Sequence, residues 1–403
     1  MNDPLEVRRD GSVVARLHRR RGGIACEYSE EILDTVPLGR PVLSCSLPVT
    51  PRPADATAWV RGLLPEGQHL NALAATLDVA ASDTFALVAR YGRDVAGAFE
   101  IVAADPVPRI PSIEPYAADA LAEAVDALDT YPLAIQADSE LSLAGLQNKL
   151  VAVWTPDGWA RPIHGFPSTH IIKVDDGRHP GLIAAEAACL SLAREVGLTS
   201  VDARCERFGT RDVLIVSRFD RENIDGTTRR LHQEDLLQAL GMDPFAHRGR
   251  AKYQTFGTPG PPSWWHAADL LDTYAEDPSS ALLDLVRAVT FTTAISNADC
   301  HAKNVALLLE GGHLTLAPLY DTVPTALWPT LRPSVAMTVN DVGTLADITM
   351  DDIVAEARRW LVPASQTQAT ATDLLDSLAA AVRSCEHPQV AELVASNVER
   401  LRR

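Results

Sequence analysis

The stretch 295–304, I-S-N-A-D-C-H-A-K-N, places Asp299 five residues before Asn304, with His301 and Lys303 between them. A carboxylate and an amide at that spacing, in a short loop after an apolar helix-like run, suit phosphoryl transfer. The carboxylate would orient an attacking hydroxyl and accept its proton, while the Asn304 oxygen would hold a Mg²⁺ that neutralises phosphate charge. Asp321, in L-A-P-L-Y-D-T beyond a hairpin expected through Glu310-Gly311-Gly312, is a second candidate metal ligand. The order Asp, Asn, Asp is the one kinases use.

Such a loop needs a surface that holds the triphosphate. Residues 169–174, T-H-I-I-K-V, read as a β-branched strand with Lys173 near its end, and 182–196 read as a helix. A lysine on such a strand pairs with ATP phosphates and is steadied by a glutamate from the next helix, here Glu186. Taken alone, a Lys and a Glu thirteen residues apart are ordinary surface charges. The full order Lys, Glu, Asp-Asn, Asp raises them above that. Upstream, Gly145 with Ser142, Gln147, Asn148 and Lys149 reads either as a turn whose amides and lysine suit phosphate oxygens or as a plain surface hairpin. The strand at 213–216 leads into S-R-F-D-R, where a hinge between two lobes would offer backbone groups to an adenine edge.

With 403 residues, 46% of them hydrophobic, the chain has the length for two or three domains with substantial cores. The formal net charge of −17 argues against a surface that tracks nucleic-acid phosphates throughout, although one basic face can sit within an acidic total. The basic run Arg19-Arg20-Arg21 reads as a solvated hairpin tip rather than a phosphate contact. Six cysteines, Cys26, Cys45, Cys189, Cys205, Cys300 and Cys385, include no C-x-x-C pair and lie mostly in apolar runs, as free thiols do in a reducing compartment. A zinc site on Cys300 and His301 lacks a second cysteine pair. No basic start precedes an apolar core at the N-terminus, and no apolar run nears the roughly 18 residues that spanning requires. A cytoplasmic protein without membrane attachment is expected.

Residues 5–9 and 12–18 alternate around Asp10-Gly11, a strong hairpin signal, with further strands at 24–28 and 42–47. A helical segment over 55–77 and a turn at Gly92, Asp94 and Gly97 into a strand complete a small domain for which a scaffold or partner-docking role suffices. The proline-rich 103–116 makes a stiff connector. Three parts are expected: 1–108, a β-rich N-terminal subdomain; 109–221, a kinase-like N-lobe; and 222–403, a helical C-lobe. Residues near Leu231, 282–296 and three segments after Met350 read as helix, with 400–403 a frayed end. Residues 250–262 read as a loop that lines the cleft or meets substrate, and Trp264-Trp265 as core. The class is α+β, a bilobal protein-kinase-like fold with a strand-rich N-lobe and a mostly helical C-lobe.

Taken together, several segments resemble one family, the HipA-like serine/threonine kinases, the toxins of HipBA-type toxin-antitoxin pairs. They are L-L-P-E-G, G-R-D-V-A-G-A, S-L-A-G-L-Q-N-K, T-H-I-I-K, S-R-F-D-R, R-L-H-Q-E-D, N-A-D-C-H-A-K-N and L-Y-D, which span nearly the whole chain. Each is short, but the ordered set is specific. The resemblance implies Asp299 as catalytic base, Asn304 and Asp321 as Mg²⁺ ligands, and Lys173 as the lysine that pairs with phosphate. It implies that Ala144, Gly145, Leu146, Gln147, Asn148 and Lys149 cover the ATP phosphates, and that Ser217, Arg218 and Phe219 form the adenine hinge. His301, Ala302, Lys303, Asn304 and Tyr320 would complete the ATP pocket.

The family also uses a serine before the phosphate loop as a self-phosphorylation switch, and Ser142 matches it. A phosphate there would add nearly two negative charges beside a loop meant for ATP and would silence the enzyme. Two positions depart from the family: Asn148 stands where Glu is usual, and Cys300 where a small or basic residue is usual. The likeness further implies a protein substrate in translation, aminoacyl-tRNA synthetases in particular. It implies a HipB-like helix-turn-helix antitoxin as partner, through which operator DNA would be reached. Two other readings of the same residues are a lipid or small-molecule kinase, since those enzymes also use D-x-H-x-x-N, and a catalytically idle module that binds an antitoxin.

Overall fold

A computed structural model of the chain describes residues 3–104, 109–117, 119–129, 148–175, 177–254, 260–331 and 333–403. Helices and sheets both run through it, which gives an α+β class. Its packing divides into two compact units. The first comprises Met1–Asp176, Glu206–Glu234 and Gly241–Arg250; the second comprises Gly177–Cys205, Asp235–Leu240 and Ala251–Arg403.

The first unit opens with the hairpin Leu5–Arg9 and Ser12–Arg20, reversed at Asp10 and Gly11, both at positive φ as the tight two-residue turn requires. Gly23–Tyr28 and Ala54–Asp55 extend this sheet on one side and Glu100–Ala103 on the other. Its inner face buries Leu5, Val7, Leu17 and Ile101 against Trp59, Val60 and Phe85. Two expectations change here. The strand expected at 42–47 is a short hairpin, Pro41–Ser44 with Leu47–Pro48. The helix expected over 55–77 is two, Thr57–Gly62 and Gly67–Thr76, because Pro65 has no N–H to continue the ladder. As expected, Arg19-Arg20-Arg21 form the exposed tip of the hairpin between Ser12–Arg20 and Gly23–Tyr28; there Arg19 pairs with Asp83 at 2.9 Å and stacks 4.8 Å over Phe85.

A second sheet runs in the order Ala203–Phe208, Arg211–Ser217, His170–Val174, Lys149–Thr155, Gly158–Ile163, Ser112–Pro115. One face, carrying Leu150, Ala152, Ile172, Val174, Val213 and Ile215, packs on Leu121 and Val125 of the helix Ala120–Asp126. The strands of the first sheet all precede residue 108 and the second begins at Ser112, yet both belong to one compact unit.

The second unit is built on the helix Pro278–Ala294. Asp277 caps its start by accepting the Ser280 N–H (3.1 Å), with Pro278 preset for the first turn. It packs against Trp264–Tyr274, Ala364–Ala381 and Pro388–Leu401, which bury Leu282, Leu285, Val289 and Phe291. The three C-terminal helices stand where the pattern places them, but the terminus is not frayed. Helix runs to Leu401, Arg400 donates to the Ile348 carbonyl, and Arg402 pairs with Asp376. Of the tryptophan pair, only Trp264 is core; Trp265 is half-exposed. The helix expected near Leu231 is a strand, Gln233–Asp235, followed by one helical turn, Leu236–Ala239, closed by an Asp235/Gln238 capping box.

Candidate active site

The helix Pro278–Ala294 ends by passing the chain into the Asp-Asn loop. Ser296 adopts φ +57; its N–H bonds the Thr293 carbonyl (3.2 Å) and the Asn297 N–H bonds the Thr292 carbonyl (3.0 Å), a left-handed helix stop. Asn397 from the last helix holds this turn through its Nδ2, which donates to the Ala294 carbonyl (3.0 Å) and to Ser296 Oγ (2.8 Å). The loop therefore leaves a rigid, buried platform.

Asn297 shapes the loop that follows. Its Oδ1 accepts the Asp299 N–H (3.0 Å) and its Nδ2 donates to the Asp321 carbonyl (3.2 Å), so one buried side chain ties both acidic residues together. Asn304 Nδ2 donates to the Asp299 carbonyl at 3.0 Å. Asp299 is exposed, and the Tyr253 hydroxyl donates to its Oδ1 at 3.2 Å. Asp321 sits at φ +49, a left-handed conformation that non-glycine residues adopt at a cost and that clusters at functional sites. The sequence gives Asn297 no role, and reaches Tyr253 only as part of the 250–262 loop expected to line the cleft. The Asn-x-Asp spacing of a side chain that caps an amide two residues on was the available signal for Asn297.

His301 and Cys300 are not the chemistry. Burial, then the positive charges of Lys252 and Lys303, lower the His301 imidazole to about 3, so it is neutral and a poor base at physiological pH. Burial pushes the Cys300 thiol up to about 12, and the nearby Asp299 and Asp321 carboxylates add to this. Lys303, expected in the ATP pocket, points inward: its ammonium bonds Asp235 Oδ2 at 3.1 Å, both buried, and its carbonyl accepts the Tyr320 hydroxyl at 2.7 Å. Ala302 is held through its N–H to the Lys252 carbonyl (3.1 Å).

Asn304 and Asp321 offer hard oxygen donors, one neutral and one charged, of the type Mg²⁺ takes when phosphate and water supply the rest of its shell. Among the described residues no group of three His, Cys, Asp or Glu side chains forms a closed cage. An amide oxygen with one carboxylate is a donor set that fits a cation shared with a phosphate-bearing ligand.

In the first unit, Lys173 lies directly opposite Lys149 across the antiparallel pair His170–Val174 and Lys149–Thr155. Opposite residues share a face, so both ammonium-bearing chains leave the sheet on the side away from Ile172 and Leu150. Both are buried. Two lysines side by side fit a polyphosphate better than one, and strand alternation places Lys149 here rather than on a loop. Asn148 adjoins them, its Oδ1 3.0 Å from His69 Nε2. Ser217 pairs with His170 at the end of the sheet. Glu186 is buried on the helix Leu182–Glu195 of the second unit. Ser142, Ala144, Gly145, Leu146 and Gln147 lie outside the described residues.

Arg218, expected in the adenine hinge, commits its side chain to the fold. Its N–H bonds the Thr169 carbonyl (2.9 Å), and its guanidinium clamps Asp220 at 2.9 and 2.8 Å while reaching Ser168 Oγ and the Val95 carbonyl. Arg221 bonds Asp94 at 2.9 Å and the Gly97 carbonyl at 3.0 Å, and Asp220 accepts the Gly97 N–H at 2.8 Å. The S-R-F-D-R side chains thus lock onto G-R-D-V-A-G-A. Gly97 must be glycine: at φ +86, an added Cβ would lie 2.9 Å from the Gln233 carbonyl oxygen and from His232 Nδ1.

Comparison with known proteins matches residues 5–102 to the HipA N-terminal domain and residues 141–385 to the HipA-like C-terminal domain. Y4mE of Sinorhizobium fredii (strain NBRC 101917 / NGR234), named as a kinase, is 35% identical over 393 residues, 94% of this chain and 90% of that protein. The serine/threonine-protein kinase toxin HipA of Shewanella oneidensis is 29% identical over 289 residues, 69% of this chain and 65% of that protein. Among solved structures, the Shewanella oneidensis MR-1 toxin-antitoxin complex of HipA, HipB and operator DNA matches with a TM-score of 0.81 at 25% identity, covering 98% of this chain and 95% of that one.

Proposed function

The chain belongs to the HipA-like kinase family, and from that premise we propose that it is an ATP- and Mg²⁺-dependent serine/threonine protein kinase that acts as the toxin of a toxin-antitoxin pair. Asp299 is the base that takes the acceptor hydroxyl's proton. Asn304 and Asp321 hold the cation, which when bound supplies charge neutralisation at the phosphates. Lys173 and Lys149 engage the triphosphate from the sheet, Glu186 is the supporting carboxylate for Lys173, and the Ser217–Phe219 backbone meets the adenine. The observation that carries the reading is the joint fixing of Asp299, Asn304 and Asp321 by Asn297 and by the Asn304 amide, beside a histidine held neutral.

The protein substrate belongs to translation, an aminoacyl-tRNA synthetase by family likeness. The partner is a HipB-like antitoxin that carries operator DNA contact, which suits an acidic chain. Self-phosphorylation at Ser142 switches the enzyme off. Purified chain with Mg-ATP should gain one phosphate at Ser142 by mass spectrometry, and Asp299→Ala should slow this about a thousandfold with the melting midpoint kept. Equal labelling of the two proteins would sink the assignment of Asp299 and favour a module that only binds an antitoxin.

A further inference from the structure

We propose that Tyr253 is the positioning residue for the Asp299 carboxylate, setting which oxygen the acceptor hydroxyl meets; this rests on Asp299 being the base. Tyr253 is fixed on both sides. The Lys252 carbonyl accepts the Ala302 N–H (3.1 Å), and the Gln254 N–H donates to the Ala336 carbonyl (2.9 Å). Gln254 Oε1 in turn accepts the Thr338 N–H at 2.8 Å and its hydroxyl at 3.0 Å. The ring stands edge-on to His301, centroids 5.4 Å apart at 82°. That framework delivers the hydroxyl to Asp299 Oδ1 at 3.2 Å.

The argument is one of rotation. An exposed aspartate turns about χ1 and χ2, and most of those orientations aim its lone pairs away from an acceptor. A donor anchored to a strand and a buried ring removes that freedom for one oxygen and so fixes the other. Tyr253 touches neither substrate nor nucleotide in this role; it acts through Asp299.

The test follows initial ADP release as the full chain phosphorylates itself once in Mg-ATP, with kcat the limiting first-order rate constant at saturating ATP, for wild type, Tyr253→Phe, Asp299→Ala and the double variant. Phenylalanine keeps the ring against His301, so the melting midpoint should hold. The expected result is a kcat about tenfold lower with the KM for ATP within about twofold, and no further loss when the change is added to Asp299→Ala. A wild-type kcat in Tyr253→Phe overturns the proposal, as does an equal loss in the Asp299→Ala background. A raised kcat also overturns it, and would mean that the hydroxyl blocks the acceptor's place. Equal ADP release by wild type and Asp299→Ala removes the base itself and Tyr253's role with it, a result distinct from the failure of Tyr253 alone.

Discussion

Leu361 follows the helix Met350–Arg359 and the cap residue Trp360 at φ +64, and its side chain is 88% exposed. Its N–H bonds the Arg358 carbonyl and the Val362 N–H bonds the Ala357 carbonyl, both at 3.1 Å, the two-bond helix stop that ordinarily takes glycine. Leucine there strains the backbone and buries nothing. Leu361→Gly should raise unfolding stability by about 0.5–1 kcal/mol, read as a higher urea midpoint at unchanged slope. A lower midpoint would mean that the leucine is held by a contact absent from the fold described above. The same stop recurs at Ser296, where the strained residue is instead gripped by Asn397. A helix stop can be read from sequence when it is glycine; at Ser296 and Leu361 the residue type gave no sign of it.

At the scale of elements, the buried group of Arg218, Asp220, Arg221 and Asp94 joins segments up to 127 residues apart in the chain. Removing one carboxylate from such a group leaves a desolvated charge. Asp220→Asn should therefore cost about 3–5 kcal/mol, whereas Ser168→Ala, which removes one neutral acceptor of Arg218, should cost only about 1 kcal/mol. Calorimetric midpoints of the two variants check this, and similar losses would refute the charge argument. Local signals were legible: Asp10-Gly11, the Gly311-Gly312 hairpin, the strand His170–Val174 and the helix Leu182–Glu195 all form where turn chemistry and periodicity place them. Side-chain direction was not. Arg218 and Lys303 were placed by their position in a motif; the Lys303 partner, Asp235, is distant in the chain, and the Arg218 partner, Asp220, stands two residues on but is buried with it only by the tertiary fold. Lys149 was in reach, since it lies on the alternating run that ends at Trp154.

For the whole molecule, acid should be the main destabilising condition. Burial lowers His232 from 6.5 to about 4 where it packs on Phe99, ring centroids 4.4 Å apart. The unfolded chain then binds a proton that the folded one refuses. Stability from this residue is complete above pH 6.5 and is lost as pH falls towards 4, by about 3 kcal/mol. Asp94 and Asp220 act in the same direction. Burial alone would raise both, but the surrounding guanidiniums outweigh it and hold them below the usual carboxylate range, so their contribution is complete above pH 3.8 and is lost progressively as pH falls from there towards their lowered values. Melting midpoints from pH 8 to pH 4 should fall steadily once pH drops below about 6.5, and His232→Phe should flatten the upper part of that fall. A midpoint that holds or rises on acidification would contradict the buried neutral imidazole.

Asp94 has a longer reach than its single charge suggests. A shorter gene product that began after residue 108 would keep both guanidiniums but only one of their two anions, and would lose the backbone oxygens of Val95 and Gly97 as well. Such a fragment would carry an unanswered positive charge in a dry interior. The amino-terminal segment is therefore no detachable accessory, and recombination between relatives must carry both halves of this electrostatic joint together.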